Sequence, residues 1–344
     1  MSDTQPKKLE IIYILKIMQK YTDQEHGLSQ NQIVELLKKE YGMKVDRKSV
    51  KRNLSKLIEA GYPIEPCEFL RINSQGEQET ILTDWRYIHD FTDSELRVIT
   101  DILMYSDYLP HGQCVKLIDK IIGLGSSFSQ KKLSYHKDFR QHRPENKEFF
   151  YIIEVLTDAI TNGKQVSFLL NSYGADMKLH TILDNGETKL YTVNPYNMVL
   201  HNGRYYLICN TVGCDNISGY RIDKITNIKI LDAHAVSVRS LEKYKNGIEL
   251  YEYLNENPDM CSGEVIRCTF RCCEYLIDDI VDSFGSSCTI IPTENKQIEV
   301  RVRVNEQFML NWAIKYANAV KIISPKSLKR KVIDTLKEAL KKYE

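Results

Sequence analysis

Asn202-Gly203-Arg204-Tyr205-Tyr206-Leu207-Ile208-Cys209-Asn210, with Gly219-Tyr220-Arg221-Ile222-Asp223-Lys224-Ile225 after it, is the stretch on which the reading of this chain turns. Asn-Gly is a hairpin turn signal, and a two-residue turn fixes the register of the strands it joins. Arg204 to Asn210 therefore reads as a strand, and Ser218 to Ile222 as a second one carrying Arg221 between Tyr220 and Ile222. Successive strand side chains point to opposite faces, so Tyr205 and Tyr206 do not share a surface. An arginine and a tyrosine on adjacent strands can act together on a phosphate or a base, the guanidinium forking to oxygens while the ring stacks. Arg204, Tyr205, Tyr206 and Arg221 are the candidates for such an effector site. Tyr206 and Arg221 are expected toward the ligand and Tyr205 nearer the core, with the reverse parity open. The plainer reading of the same spacing leaves the tyrosines as packing residues and pairs Arg221 with Asp223.

These residues resemble the two signature segments of the WYL-domain family: Trp-Tyr-Leu after a Gly-Arg turn, and an aromatic-Arg-Leu-Asp-Arg-Ile segment. Tyr205 stands here for the tryptophan and Lys224 for the second arginine, each within its chemical class. The resemblance implies an Sm-like five-stranded barrel that senses nucleic-acid fragments or nucleotide-like ligands through the Tyr and Arg of these motifs. It also implies a C-terminal extension.

A chain of 344 residues has room for two or three cores. The formal net charge of +1 is silent about partners, but Lys44 to Lys56 holds six basic residues against Asp46 alone. No apolar run is long enough to span a bilayer, and the first residues are polar rather than signal-like, so a cytoplasmic protein without a membrane partner is expected. The nine cysteines are odd in number and scattered, without paired Cys-x-x-Cys knuckles, which reads as free thiols in a reducing compartment. The chain has no His-Glu-x-x-His, no Gly-x-Ser-x-Gly elbow and no Gly-x-x-x-x-Gly-Lys phosphate loop. No catalytic residue, cofactor or metal is therefore expected, and Gly123-Leu124-Gly125-Ser126-Ser127 reads as a turn between helices.

Toward the N-terminus, apolar recurrence predicts a helix over Lys7 to Tyr21, a second after the Ser29/Gln32 capping box, and a third from the Asp46 cap to Ala60. Tyr62-Pro63-Ile64 and a hairpin follow, with Phe69 to Ile72 and Thr80 to Leu82 flanking Asn73-Ser74-Gln75-Gly76. This is the pattern of a winged helix-turn-helix. Asp46 to Leu54 looks like the recognition helix of such regulators, often Ser-Arg-x-Thr-Val-x-Arg-Asp-Leu: Arg47, Val50, Arg52 and Leu54 match, and Asp46 and Asn53 depart. Val50, Leu54, Leu57 and Ile58 form its apolar side, which leaves the cations on the other. The DNA-binding candidates are Arg47, Lys48, Ser49, Lys51, Arg52, Asn53 and Lys56. Ser49, Arg52 and Asn53 are assigned to base edges, and Lys51 and Lys56 to phosphates. A basic helix face is often only solvated surface; its place on a third helix before a wing favours duplex DNA.

The expected organisation is an α+β multidomain chain. Residues 1–88 form the winged helix-turn-helix. Residues 89–147 form a helical connector, with two helices broken at Pro110-His111-Gly112 and a polar linker from Lys131 to Lys147. Residues 148–232 form the WYL domain, an entry helix from Phe149 to Thr161 followed by strands at Gln165 to Leu170, Met177 to Leu183, Lys189 to Val193, Asn197 to His201, Arg204 to Asn210 and Ser218 to Ile222. Residues 233–344 form the extension: a helix over Ser240 to Asn255, a β-α-β-β-α-β run in the ferredoxin-like order, and a last helix. The function expected is that of a bacterial transcription regulator, homodimeric because helix-turn-helix proteins read paired half-sites. It would bind a double-stranded operator and sense single-stranded DNA, RNA or a nucleotide-like effector. The alternative is an RNA- or single-strand-binding accessory protein that modulates a CRISPR or other phage-defence effector.

Overall fold

The computed structural model describes residues 7–72, 77–106, 108–134, 146–260 and 263–344. Its first three helices are α1 (Glu10–Tyr21), α2 (Gln30–Tyr41) and α3 (Arg47–Glu59). Their ends follow local chemistry. The Ser29 side chain accepts the Gln32 N–H and the Gln32 side chain accepts the Ser29 N–H, while Asp46 accepts the Ser49 N–H. Gly42 closes α2 at φ 64°, a conformation in which glycine carries no Cβ clash. Ile14, Ile17 and Met18 on α1, Ile33 and Leu37 on α2, and Val50, Leu54 and Leu57 on α3 are buried in one core. The antiparallel hairpin β1 (Ile64–Ile72) and β2 (Gln78–Tyr87) closes it with Ile64 and Trp85. Ile58, expected on the apolar side, is 39% exposed, because Leu54 and Leu57 already occupy the stripe of that last turn. The hairpin tip, residues 73–76, lies outside the described residues.

α4 (Asp93–Met104) begins with the Thr92/Glu95 capping box. α5 (His111–Ile122) starts at His111 with Pro110 as its N-cap, so Pro110-His111-Gly112 opens a helix as well as separating two. The glycine-serine run is the expected turn between helices: it joins α5 to α6 (Ser127–Leu133), a helix not among the sequence expectations. Ser126 starts α6: its Oγ accepts the Phe128 and Ser129 N–H groups and donates to Asp23 at 2.7 Å. The expected linker is thus helical at its start. Residues 135–145 lie outside the described residues, and Asn146 is already buried, its Nδ2 donating to the Asp223 and Ile225 carbonyls.

The chain divides into two compact units, Met1–Arg143 and Pro144–Glu344. In the second, α7 (Phe149–Thr161) buries Phe149, Ile152, Leu156 and Ala159. Then come β3 (Lys164–Tyr173), β4 (Leu179–Thr181), β5 (Leu183–Asp184), β6 (Glu187–Thr188), β7 (Leu190–His201), β8 (Arg204–Thr211), β9 (Ile217–Arg221) and β10 (Ile225–His234). The main sheet is antiparallel in the order β10-β3-β7-β8-β9, with β4 added to β3 and β5–β6 a separate small hairpin. Two expected strands, Lys189 to Val193 and Asn197 to His201, are one: a bulge between Pro195 and Asn197 bends β7 without ending it. The helix expected over Ser240 to Asn255 shrinks to short 3-10 turns and α8 (Leu250–Glu256). Gly247 between them sits at φ 96°, outside the helical region.

β11 (Val265–Cys273), α9 (Ile277–Phe284), β12 (Thr289–Pro292), β13 (Gln297–Asn305), α10 (Glu306–Lys315) and β14 (Val320–Ser324) follow, and α11 (Lys326–Leu340) ends the series. Their antiparallel sheet has the order β12-β13-β11-β14. Phe270, Phe284 and Trp312 pack ring to ring beneath it, with centroids 5.1 to 6.0 Å apart. The protein is a mixed α+β chain.

Candidate nucleic-acid interface

α3 presents a row of cations to solvent. Arg47, Lys48, Lys51, Arg52 and Lys56 are exposed, and among the described residues Arg47, Lys48, Lys51 and Lys56 have no ion-pair partner. The Asp46 carboxylate is held below its usual range by the Ser49 N–H, so this acid is committed to capping. Ser49 and Asn53 lie lower. Ser49 is 8% exposed and its Oγ donates to Glu10 Oε1 at 2.7 Å; Asn53 Nδ2 donates to the same oxygen at 2.7 Å. Arg52 reaches back, its guanidinium donating to Ser49 Oγ at 3.3 Å. A cleft of about 430 Å³ opens here, lined by Lys8, Glu10, Lys44, Ser49, Arg52 and Asn53 among others.

The strand candidates are held differently. Tyr206 on β8 lies opposite Val199 on β7 and Arg221 on β9. Tyr205 turns to the other face, its ring edge-on to Phe149 of α7 with centroids 6.2 Å apart. Of the two, Tyr206 is the more buried, at 6% exposed, which reverses the expectation that Tyr205 is the core residue. The reason lies downstream in the chain: Leu250, Tyr253 and Leu254 of α8, with Met260, cover the Tyr206 face. Burial pushes the Tyr206 phenol pKa up, against the pull of the Arg221 and Arg204 guanidiniums.

Arg221 Nε and Nη2 donate to Asp223 Oδ1 and Oδ2 at 3.1 and 2.6 Å, and Asp223 is 1% exposed. The plainer pairing read from the sequence is therefore present. It does not saturate the site, since a guanidinium has further donors and two more cations stand close. Lys224 is half-buried, and its ammonium pKa is lowered by burial, by Arg221 and by Arg204. Its Nζ lies 6.0 Å from the Tyr173 ring centroid. The 3-10 turn Ile222–Lys224 that carries this charge is clamped by its carbonyls: Asn146 Nδ2 donates to Asp223 O at 3.2 Å and Asn171 Nδ2 to Lys224 O at 2.9 Å. The result is a rigid, partly desolvated cationic cluster beside tyrosine rings, a setting in which an anionic group gains more than it would in open water. Lys224 and Tyr173 were not among the sequence candidates. Lys224 stood in the quoted motif in place of an arginine, which was signal enough; Tyr173 is brought there only by the fold.

A model of the WYL domain family matches residues 151–230. The chain carries a WYL domain. Arg204, Tyr205, Tyr206, Arg221 and Lys224 all fall within the WYL domain, and Asn146, which clamps its charged turn, lies just ahead of it. A search of curated proteins gives no match. Among solved structures, proteasome accessory factor B/C (PafBC) of Arthrobacter aurescens aligns with 99% of this chain and 50% of its own at 13% identity, with a TM-score of 0.30. This chain thus spans about half the length of that protein. A CRISPR Cas-related protein aligns over 98% of this chain and 84% of its own at 14% identity, with a TM-score of 0.40. Similarity at that level transfers neither fold nor function.

Among the described residues, no group of three or more His, Cys, Asp or Glu side chains is arranged to hold a metal ion, and no helix is long and apolar enough to cross a membrane. Cys209, Cys268 and Cys272 are buried free thiols whose pKa values burial pushes up, that of Cys268 to about 12, so they serve as small apolar residues rather than nucleophiles.

Proposed function

We propose that this protein is a DNA-binding transcription regulator whose WYL domain senses a nucleic-acid or nucleotide-like effector. Its first three helices and hairpin act as a winged helix-turn-helix, with α3 as the element that enters the major groove. The observation that carries this reading is the exposed face of Arg47, Lys48, Lys51 and Lys56 around Arg52, where those four cations have no ion-pair partner among the described residues. Surface ion pairs would add little to stability, but several exposed cations on one helix face attract a polyanion, and DNA phosphates that meet them release counterions. Arg52 is assigned to base edges and the lysines to phosphates.

In the WYL domain, the strand order β10-β3-β7-β8-β9 with α7 ahead of it supports an Sm-like barrel, and the order β12-β13-β11-β14 supports a ferredoxin-like extension. Arg204, Arg221 and Lys224 are assigned to the effector, with the buried Tyr206 packed behind them. Its ligand class is an anionic nucleotide or short single strand, whose phosphate meets the cations and whose base meets an aromatic ring. A homodimer on paired half-sites completes the proposal, with effector binding favouring one placement of the reading helices.

The test is selection of duplexes from a randomised pool by wild-type protein and by Arg52→Ala. Enrichment of one sequence family by the wild type, lost in the variant, supports the reading. If no duplex sequence is enriched while a single strand binds tightly, the protein is an accessory single-strand binder instead.

A further inference from the structure

Glu10, the first residue of α1, is out of place on a surface meant to attract phosphate. It shares its cleft with Lys8, Lys44 and Arg52, and a carboxylate there subtracts from the attraction those cations exert on any duplex. What it gives in return is order. A carboxylate only accepts hydrogen bonds, so whatever meets it must present a hydrogen. Glu10 Oε1 receives both Ser49 Oγ and Asn53 Nδ2, each at 2.7 Å, from one face of α3. The Asn53 amide is thereby fixed with its nitrogen toward Glu10, and its carbonyl takes no part in that bond. The Ser49 hydroxyl hydrogen is likewise committed, which leaves its oxygen to accept from Arg52 at 3.3 Å. One acidic side chain thus orders three polar side chains along the helix: Arg52 through Ser49, and Ser49 and Asn53 directly.

We infer that Glu10 is a positioning residue for duplex reading: it trades sequence-independent affinity for discrimination by holding Ser49, Asn53 and Arg52 in one hydrogen-bonded arrangement. This rests on the assignment of α3 as the reading helix. A merely structural Glu10, tying α1 to α3, would on removal weaken binding to every duplex alike. A positioning Glu10 on removal narrows the gap between the right sequence and a wrong one, because side chains free to rotate fit wrong bases too.

The experiment uses the full chain, the duplex that wild-type protein enriches from a randomised pool, and a scrambled duplex of the same composition. Affinity for each is measured across a salt series, with thermal unfolding as a check on folding. Glu10→Ala is expected to cut the ratio of the two affinities by about tenfold, the scale of one well-ordered base contact, while binding to the scrambled duplex tightens at low salt. Glu10→Gln, whose amide oxygen can accept the same two bonds, is expected to recover most of the ratio yet keep the tighter scrambled binding, which separates geometry from charge. Should Glu10→Ala unfold, Asn53→Ala replaces it and must lose discrimination to a similar degree. An unchanged ratio in Glu10→Ala, or in Asn53→Ala where that stands in, overturns this inference and leaves the DNA-binding proposal standing. A wild type that enriches no sequence removes both.

Discussion

The two cationic surfaces of this protein are built in opposite ways. On α3, Arg47, Lys48, Lys51 and Lys56 stand in solvent and, among the described residues, have no ion-pair partner. In the WYL domain, Arg221 is forked onto a carboxylate that is 1% exposed, and Lys224 is half-buried with its charge disfavoured. An exposed face costs little to maintain and suits a large polyanion that arrives with its own counterions. A sunken cluster is held by buried pairs and clamped carbonyls, and it suits a small anion placed in one geometry. The same residue types thus serve two ligand classes, and burial decides which.

The contrast breaks first on stability. Asp223→Ala leaves Arg221 partly buried without its partner and is expected to destabilise the second unit by about 3 kcal/mol, whereas Lys48→Ala or Lys51→Ala changes stability by no more than about 0.5 kcal/mol. Urea unfolding of the three variants checks this; equal midpoints would mean that the Arg221–Asp223 pair is not structural. By the same logic Arg221→Ala strands a buried carboxylate, so loss of effector binding in that variant must be read beside its unfolding curve.

Binding sharpens the contrast further. Arg52→Ala is expected to cost about 1–3 kcal/mol on the preferred duplex and to relax its sequence preference, with single-strand binding unaffected. Losing both activities together in a folded variant would contradict the separation of the two surfaces. Lys48→Ala, Lys51→Ala and Lys56→Ala each lower the slope of log affinity against log salt by about 1 on any duplex, without altering preference. A change in preference instead would move that lysine from phosphate to base.

The smallest effect is on pH. The folded pKa of Lys224 is lowered by burial and by Arg221, so the native state releases this proton before the unfolded chain does. Taken alone, the group makes stability rise with pH between that lowered value and the ordinary 10.5, since the unfolded chain then binds more protons. A bound anion favours the charged ammonium, so oligonucleotide affinity falls over the same alkaline window. Lys224→Arg, charged throughout, is expected to flatten the profile in an equilibrium titration; an unchanged profile would remove Lys224 from the site.

What the sequence made legible is what depends on neighbours in the chain. Ser29 with Gln32, Thr92 with Glu95, and Asp46 cap their helices through bonds three residues long, and all were readable as pairs of letters. The Tyr205-Tyr206 and Arg221 motifs were readable for the same reason, and the WYL match lies where they stand. β10 escaped because its pairing with β3 shifts register between Thr226 and Lys229, which spoils the alternation of its apolar residues. α6 was passed over because it is only seven residues long, although its cap, Ser126 to the Phe128 and Ser129 N–H groups, is as local as the others. Glu10 carried no signal at all, for its partners are 39 and 43 residues away. The burial of Tyr206 depends on α8 and Met260, which no reading of its own strand contains.

The measurement that reaches the central claim most directly is the affinity for the enriched duplex with and without a short single-stranded oligonucleotide, at fixed salt, in wild type and in Lys224→Ala. Two linked binding sites require the oligonucleotide to shift duplex affinity, and the duplex to shift oligonucleotide affinity by the same factor, with both shifts lost in Lys224→Ala. Duplex affinity that does not move while the oligonucleotide saturates its site would contradict the account, because the WYL domain would then bind its ligand without informing the reading helix.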